Sequence, residues 1–456
     1  MGMMKRKLDD YLKAWKENEN RLPLIVRGAP QVGKTTSIMQ FAKENYSCVI
    51  EIIFVLQRQY CQIFDNGYEV DEIIKNITLL MPHVDVIEHD TLIFFDEIQI
   101  CPACVTALKS FKLDGRYDVI CSDSLMGINY QEIESNSVGY KEDYLMYSMD
   151  FEEFLWAKGF KEKQIDDLYQ HMLQAKPLSE LEMKVYMDAF FDYIIVGGMP
   201  AIVKKYIDNK NFSGVLKMQR KILLDYEEDI TKYAQGLDKR RILNVYRSIP
   251  VFLDKENKKF QITKVEKGAR SSNYIGSIDW LYNTGMIHVC YCLEQCCLPL
   301  KGNYKPLHYK IYYGDVGLLI AQLDDESQND LRFNRNFNTY KGAIYENVVA
   351  GELAKQGYSL YFYQGEKNQL KMEFFVSDMK SLIPVEVKTK DGASASLNNF
   401  IKKDKYNDIQ YGVKFGYKNI RYNGLFYTFP YFMVFLLKRF LCDKNIKERC
   451  VLDETI

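Results

Sequence analysis

Between Leu24 and about Asp150, short apolar runs alternate with amphipathic stretches, the pattern of a parallel sheet flanked by helices. Leu24–Val26, Val49–Phe54, Leu92–Phe95, Val119–Cys121 and Tyr144–Tyr147 read as five strands, and their near-continuous apolar character fits strands covered on both faces. The first twenty residues predict an amphipathic helix with Leu8, Tyr11, Leu12 and Trp15 on one stripe. From 151 to about 235 the period turns helical, over Phe151–Phe160, Glu162–Gln174 and Leu216–Tyr226. Gly197-Gly198-Met199-Pro200 interrupts it, and two glycines with a proline require a turn or helix junction.

Residues 237–300 read as a helical module ending in a hairpin. A short helix covers Thr263–Gly268, a turn Ala269–Ser272, and a second helix runs from Asn273 to Gly285. That helix carries Ile275, Ile278, Leu281 and Tyr282 on one face, and the apolar strand Met286–Leu293 follows. Two short helices and a β-wing make a winged-helix arrangement. From about 330 the pattern is α+β, with a helix at Tyr340–Lys355 and strands at Leu360–Tyr363, Met372–Val376 and Pro384–Lys388. The apolar run Leu425–Leu437 is too short to cross a bilayer and contains Pro430, so it reads as a strand followed by a helix.

The chemistry sits after the first strand. Gly28-Ala29-Pro30-Gln31-Val32-Gly33-Lys34-Thr35, followed by Thr36, is a full G-x-x-x-x-G-K-[ST] phosphate loop between a predicted strand and a predicted helix. Its glycines let backbone N–H groups turn toward phosphates, and the helix N-terminus adds positive potential. Lys34 is expected to reach the β/γ-phosphates of ATP and Thr35 to ligate Mg²⁺. Leu92–Phe95 delivers Asp96 to the metal, and Glu97 beside it is placed to orient and deprotonate the attacking water. Ser122, with Asp123 and Ser124 after the fourth strand, stands where a polar sensor of the γ-phosphate is expected. No arginine occurs between Arg116 and Arg220, so the usual place for an arginine finger is vacant. Lys141, Arg220, Arg240, Arg241 and Arg270 remain as candidates, and slow, monomeric turnover is the expectation.

Composition bounds rather than names the function. At 456 residues the chain should hold two to four domains, and 60 Lys and Arg against 61 Asp and Glu exclude a globally charged polyanion binder. Hydrophobic residues at 47% and charged ones at 27% exclude disordered and fibrous classes. The start, Met-Gly-Met-Met-Lys-Arg-Lys, lacks the apolar core of a secretory signal, so a soluble cytoplasmic protein is expected, with no membrane partner. Eleven cysteines form no regular framework. Cys101 and Cys104 have zinc-ligand spacing without a second pair or a nearby histidine, so these thiols, like Cys290, Cys292, Cys296 and Cys297, read as buried or incidental. The neutrality is uneven, since residues 330–456 hold 20 Lys and Arg against 14 Asp and Glu.

The chain resembles the prokaryotic AAA-type ATP-binding proteins of the AAA+ superfamily that carry a C-terminal PD-(D/E)XK nuclease-like domain of unknown function. The resemblance rests on Leu24–Thr35, Phe95–Gln99, Met149–Ala157, Gly197–Pro200, Ile249-Pro250, Glu256-Asn257, Asp315–Leu319, Gly342–Asn347 and Pro384–Lys388. It implies four parts in order: a P-loop AAA+-like α/β ATPase over 1–160, a helical lid over 161–236, a winged-helix module and connector over 237–329, and an α+β restriction-endonuclease-like domain over 330–456. In the sensor region Asp123 replaces a family glycine. In the nuclease-like centre Glu386 and Lys388 match the Glu-x-Lys strand, Glu373 stands where the family has Asp, and Glu346 completes the metal set from the preceding helix. The acids would hold a metal and Lys388 would position or activate water. Lys258, Lys259, Lys264, Lys267 and Arg270 around the winged helix could meet DNA phosphates. A nucleotide-gated switch that recruits a protein partner, with neither domain cutting DNA, is the alternative.

Overall fold

The parallel sheet forms as the apolar pattern requires. A computed structural model describes residues 4–124, 137–234, 239–253, 260–334, 340–365, 370–378, 380–388, 394–403 and 405–444. Lys258 and Lys259 lie outside the described residues. By contact the chain divides into two units: residues 1–148 with 226–239 and 283–285, and the remainder.

In the first unit the order is α1 (Lys7–Glu17), β1 (Leu24–Arg27), α2 (Lys34–Asn45), β2 (Cys48–Ile53), α3 (Val70–Leu80), β3 (Thr91–Asp96), α4 (Ala103–Asp114), β4 (Asp118–Asp123) and β5 (Glu142–Leu145). The sheet runs β2-β3-β4-β1-β5, every pair parallel. β3 is buried at every residue, and Ile50, Ile52, Ile93, Phe95 and Val119 share one core with Ile73, Ile77, Leu108 and Phe111 from the helices. Cys101, Cys104 and Cys121 lie in that core, with the Cys104 and Cys121 sulfurs 4.0 Å apart. β5 begins two residues earlier than its apolar pattern suggests. It is an edge strand on which Glu142 to Leu145 alternate in exposure, and Asp143 pairs with Arg27 of β1 at 3.1 Å. Charge pairing with the neighbour, rather than burial, marks that strand.

The second unit opens with helices α5 (Phe151–Ala157), α6 (Glu162–Leu173), α7 (Glu180–Val196), α8 (Pro200–Asn209), α9 (Val215–Tyr233, whose last turns belong to the first unit), α10 (Lys239–Leu253), α11 (Ile262–Val265) and α12 (Ile275–Asn283). Asp150 starts α5 with a capping box to Glu153, and Ser179 does the same for α7 with Glu182. α7 ends at Gly197 and α8 begins at Pro200, so the glycine–proline break is a helix junction. Gly198 N donates to Asp315 Oδ2 at 2.7 Å, and a Cβ on Gly198 would overlap the Met149 carbonyl.

After α12 come β6 (Ile287–Leu293), β7 (Tyr304–Tyr313), α13 (Val316–Ala321), α14 (Asp325–Asn329), α15 (Lys341–Lys355), β8 (Leu360–Gln364), β9 (Lys371–Ser377), β10 (Leu382–Val387), α16 (Ala395–Lys402), β11 (Gly412–Gly416), β12 (Arg421–Tyr422) and β13 (Phe426–Pro430). One mixed sheet runs β12-β13-β11-β10-β9-β8-β6-β7. The hairpin read as a wing is therefore the end of this sheet, with β6 pairing parallel to β8. Six of the seven β6 residues are buried, which suits an interior strand and not a solvent-facing wing. Residue 330 is thus not a sheet boundary. α15 is buried from Ala343 through Ala354 and packs against the sheet, and α16 supplies Leu397 and Phe400 to a core with Phe375 and Leu382.

Candidate active site

The phosphate loop folds as its spacing requires. Gly28 has φ +157° and a Cβ there would overlap the Met146 carbonyl, while Gly33 takes φ +98° at the cap of α2. Gln31 shares the left-handed region at φ 65° without being glycine, a strained placement of the kind that gathers at functional sites. Val32 is buried, Thr36 faces out on α2, and Pro30 and Val32 each give their carbonyl to a side chain from elsewhere in the unit. Tyr226 donates its hydroxyl to Pro30 O at 3.0 Å, and Arg6, only 5% exposed, donates to Val32 O at 2.7 Å and to Tyr147 O at 2.9 Å. Ala29 lies against Gly285. Neither Arg6 nor Tyr226 stands out in the sequence, because their roles follow from long-range packing.

Lys34 is buried, and its ammonium donates to the loop carbonyls of Gly28 at 3.0 Å and Ala29 at 3.1 Å. Burial pulls its pKa down, opposed by the carboxylates of Glu97, Asp123 and Asp96. Thr35 Oγ1 donates to Asp96 Oδ2 at 2.9 Å, and Ser122 donates its hydroxyl to Asp96 Oδ1, which also accepts from Glu97 N at 3.0 Å. The predicted residues Lys34, Thr35, Asp96, Glu97 and Ser122 therefore converge. A hydroxyl and a carboxylate oxygen in contact are hard oxygen donors of the kind Mg²⁺ takes, so the residues present fit the ion. Glu97 has φ 58°, which turns the chain sharply as it leaves β3. Gln99, two residues on, donates to Glu97 Oε2 and, at 3.0 Å, to Ser124 Oγ.

The arginine-finger candidates are dispersed. Lys141 pairs with Asp143 at 2.7 Å, Arg220 with Asp325 at 2.6 Å, and Arg241 lies over the Tyr274 ring at 5.6 Å. Arg240, Arg270, Lys264 and Lys267 are exposed.

In the second unit Glu346, Glu373, Glu386 and Lys388 also meet. Lys388 Nζ lies 3.4 Å from Glu386 Oε1, just past the end of β10, and Glu373 Oε2 accepts from Val387 N at 3.3 Å. The missed members are Lys310 and Tyr312 on β7, both bound to Glu346 Oε1, at 2.8 and 2.5 Å. Their i, i+2 spacing on a strand was the available signal. Burial works against the Lys310 charge, yet Glu346 beside it carries the ammonium above its usual value. Burial, then the fields of Glu346 and Glu386, push Glu373 up to about 7, against Lys310 and Lys388. Among the described residues no three His, Cys, Asp or Glu side chains converge tightly enough to hold a metal ion. With the Lys310 ammonium already on Glu346, the three carboxylates as arranged do not fit a metal ion.

Residues 20–155 match the family model of the AAA domain. That match falls mostly within the first unit. Two domains of unknown function also match, DUF8612 over 187–329 and DUF4143 over 341–432. No curated protein matches the chain. Among solved structures, the Walker-type ATPase PABY2304 of Pyrococcus abyssi is similar at 13% identity, over 70% of this chain and 96% of that one, with a TM-score of 0.42. The RuvB Holliday junction branch migration motor of Thermotoga maritima is similar at 13% identity, over 62% and 89%, with a TM-score of 0.28. Drosophila ORC bound to DNA is similar at 13% identity, over 73% and 95%, with a TM-score of 0.27. These are distant likenesses. No described helix is long and apolar enough to cross a membrane.

Proposed function

We propose that the protein binds ATP with Mg²⁺ and hydrolyses it, and that this drives a C-terminal unit that faces nucleic acid. The observation that carries the reading is the convergence of Lys34, Thr35, Asp96 and Glu97 at one end of the parallel sheet. Lys34 would leave the loop carbonyls of Gly28 and Ala29 to meet the β/γ-phosphates. Thr35 and Asp96 would hold Mg²⁺, whose charge offsets that developing on the phosphoryl oxygens. Glu97 would take the proton of the attacking water, and Ser122 would hold Asp96 in place. Exposed Lys264, Lys267 and Arg270 supply cations for a phosphate backbone.

A second reading is favoured by Lys310. An ammonium bound to Glu346 stands where a metal ion would be needed, which suits a nucleotide-gated switch whose nuclease-like site does not cut and which recruits a protein partner. One paired assay separates the readings. Purified protein with Mg²⁺ or Mn²⁺ and supercoiled plasmid is followed for phosphate release and nicking, in wild type, Lys34→Ala, Glu97→Gln and Lys388→Ala. Release lost in the first two variants supports the ATPase, and release unchanged in Lys34→Ala refutes it. Nicking by wild type that Lys388→Ala abolishes supports a nuclease. Absence of nicking by wild type supports the switch.

A further inference from the structure

Among the described residues, Gln99 lies against Glu97 with its amide oxygen unused. Ile98, fully buried in the core, pins the single 3₁₀ turn Ile98–Ile100 that follows Glu97. The left-handed Glu97 and this turn bring residues 97 and 99 together, so that the Gln99 amide lies against the Glu97 carboxylate. A carboxylate only accepts, which fixes the amide: Nε2 faces Glu97 and Ser124, and Oε1 points elsewhere. Gln99 is 8% exposed and its Oε1 is buried with no hydrogen-bond partner. An amide oxygen buried without a partner has given up its water hydrogen bonds for nothing, so a donor is owed to it.

Phosphate oxygens accept and a metal ion bears no proton, so the donor that a nucleotide brings with it at its phosphates is a water, bound to the metal or free. The donor that an ATP hydrolysis site brings in beside its base is the attacking water, which has two protons. We propose that Gln99 is a second catalytic residue of the hydrolytic site, holding Glu97 through Nε2 and accepting from the attacking water through Oε1. The inference rests on the ATPase reading above. One water proton then points at Glu97 and the other at Gln99, which leaves an oxygen lone pair for the γ-phosphorus. The oxygen–phosphorus bond forms as the bond from the γ-phosphorus to the β,γ-bridging oxygen breaks. The leaving electron pair stays on ADP, the proton passes to Glu97, and the products are ADP and phosphate. Orientation of water by a glutamine side chain is a device that phosphoryl transfer uses elsewhere.

The test compares full-length wild type, Glu97→Gln, Gln99→Ala and the near-isosteric Gln99→Met. It measures kcat, affinity for a fluorescent ATP analogue with Mg²⁺, and melting temperature. Both Gln99 variants should lose kcat on the order of 10²-fold while nucleotide affinity and melting temperature hold. Wild-type kcat in both variants overturns the inference, as does loss of affinity and melting temperature in step with kcat, which would make Gln99 a packing residue. The two failures are distinguishable. An active wild type, an inactive Glu97→Gln and fully active Gln99 variants sink the inference alone, whereas a wild type without turnover sinks the ATPase reading beneath it.

Discussion

Thr35 Oγ1 donates to Asp96 Oδ2 across 2.9 Å, joining the first turn of α2 to the end of β3. The hydroxyl and the carboxylate come from residues 61 positions apart in the chain and meet because β1 and β3 flank β4 in a parallel sheet. Thr35→Val keeps the side-chain shape and removes the oxygen. The Mg²⁺ concentration for half-maximal phosphate release should rise about 10–100-fold, the range seen when metal-supporting groups are lost. A Mg²⁺ titration of wild type against Thr35→Val checks this, and an unchanged midpoint would remove Thr35 from the metal's surroundings.

Arg6 makes a second, less expected prediction. Its guanidinium bridges Val32 O in the phosphate loop and Tyr147 O just beyond β5, and the fork geometry suits two carbonyls at once. Hydrogen bonds from a charged donor are worth about 1.5–3 kcal/mol, so losing them should loosen the loop. Arg6→Ala is expected to weaken nucleotide binding about tenfold, the equivalent of roughly 1.4 kcal/mol. Arg6→Lys should recover only part, since an ammonium lacks the fork. Titration with a fluorescent nucleotide measures both variants.

The difference between what was legible in the chain and what was not follows from the range of the interactions. β1, β3 and the phosphate loop are local: an apolar run, glycines where φ is positive and a helix start all fall within about a dozen residues, and Lys34, Thr35, Asp96 and Glu97 land where the motifs put them. β5 lies two residues before its apolar run, because it is an edge strand held by its ladder with β1 and by the Asp143–Arg27 pair, neither of which local hydropathy announces. The hairpin β6–β7 looked like a wing because nothing near residues 287–313 announces β8, some fifty residues later, as its neighbour. Lys310 and Tyr312 were missed for the same reason. Their role exists only once β7 is brought to Glu346 on α15, and no motif spans that distance. Gln99 stood inside a segment singled out for Asp96 and Glu97, yet its role needed the left-handed turn at Glu97 and the position of Ser124.

The second unit carries a proton whose release should be measurable as stability. Burial and the carboxylates of Glu346 and Glu386 push Glu373 from an ordinary value of 4.5 up to about 7. Between these two values the folded state binds more protons than the unfolded chain, so stability must fall as pH rises. The contribution is fully present below about 4.5 and is lost as pH rises through about 7. Glu373→Gln cannot ionise, so it should match wild type near the acid end of this window and exceed it in stability at pH 8. Lys310 works in the opposite sense: Lys310→Met removes a cation that favours ionised Glu373, and should therefore move the loss of stability in otherwise wild-type protein to higher pH. Urea melts of the three proteins from pH 5 to pH 8 test both statements. Parallel pH profiles for wild type and Glu373→Gln would show that Glu373 ionises alike in the folded and unfolded chain, and the crowded carboxylate centre would then lie open to solvent and its charges would be uncoupled.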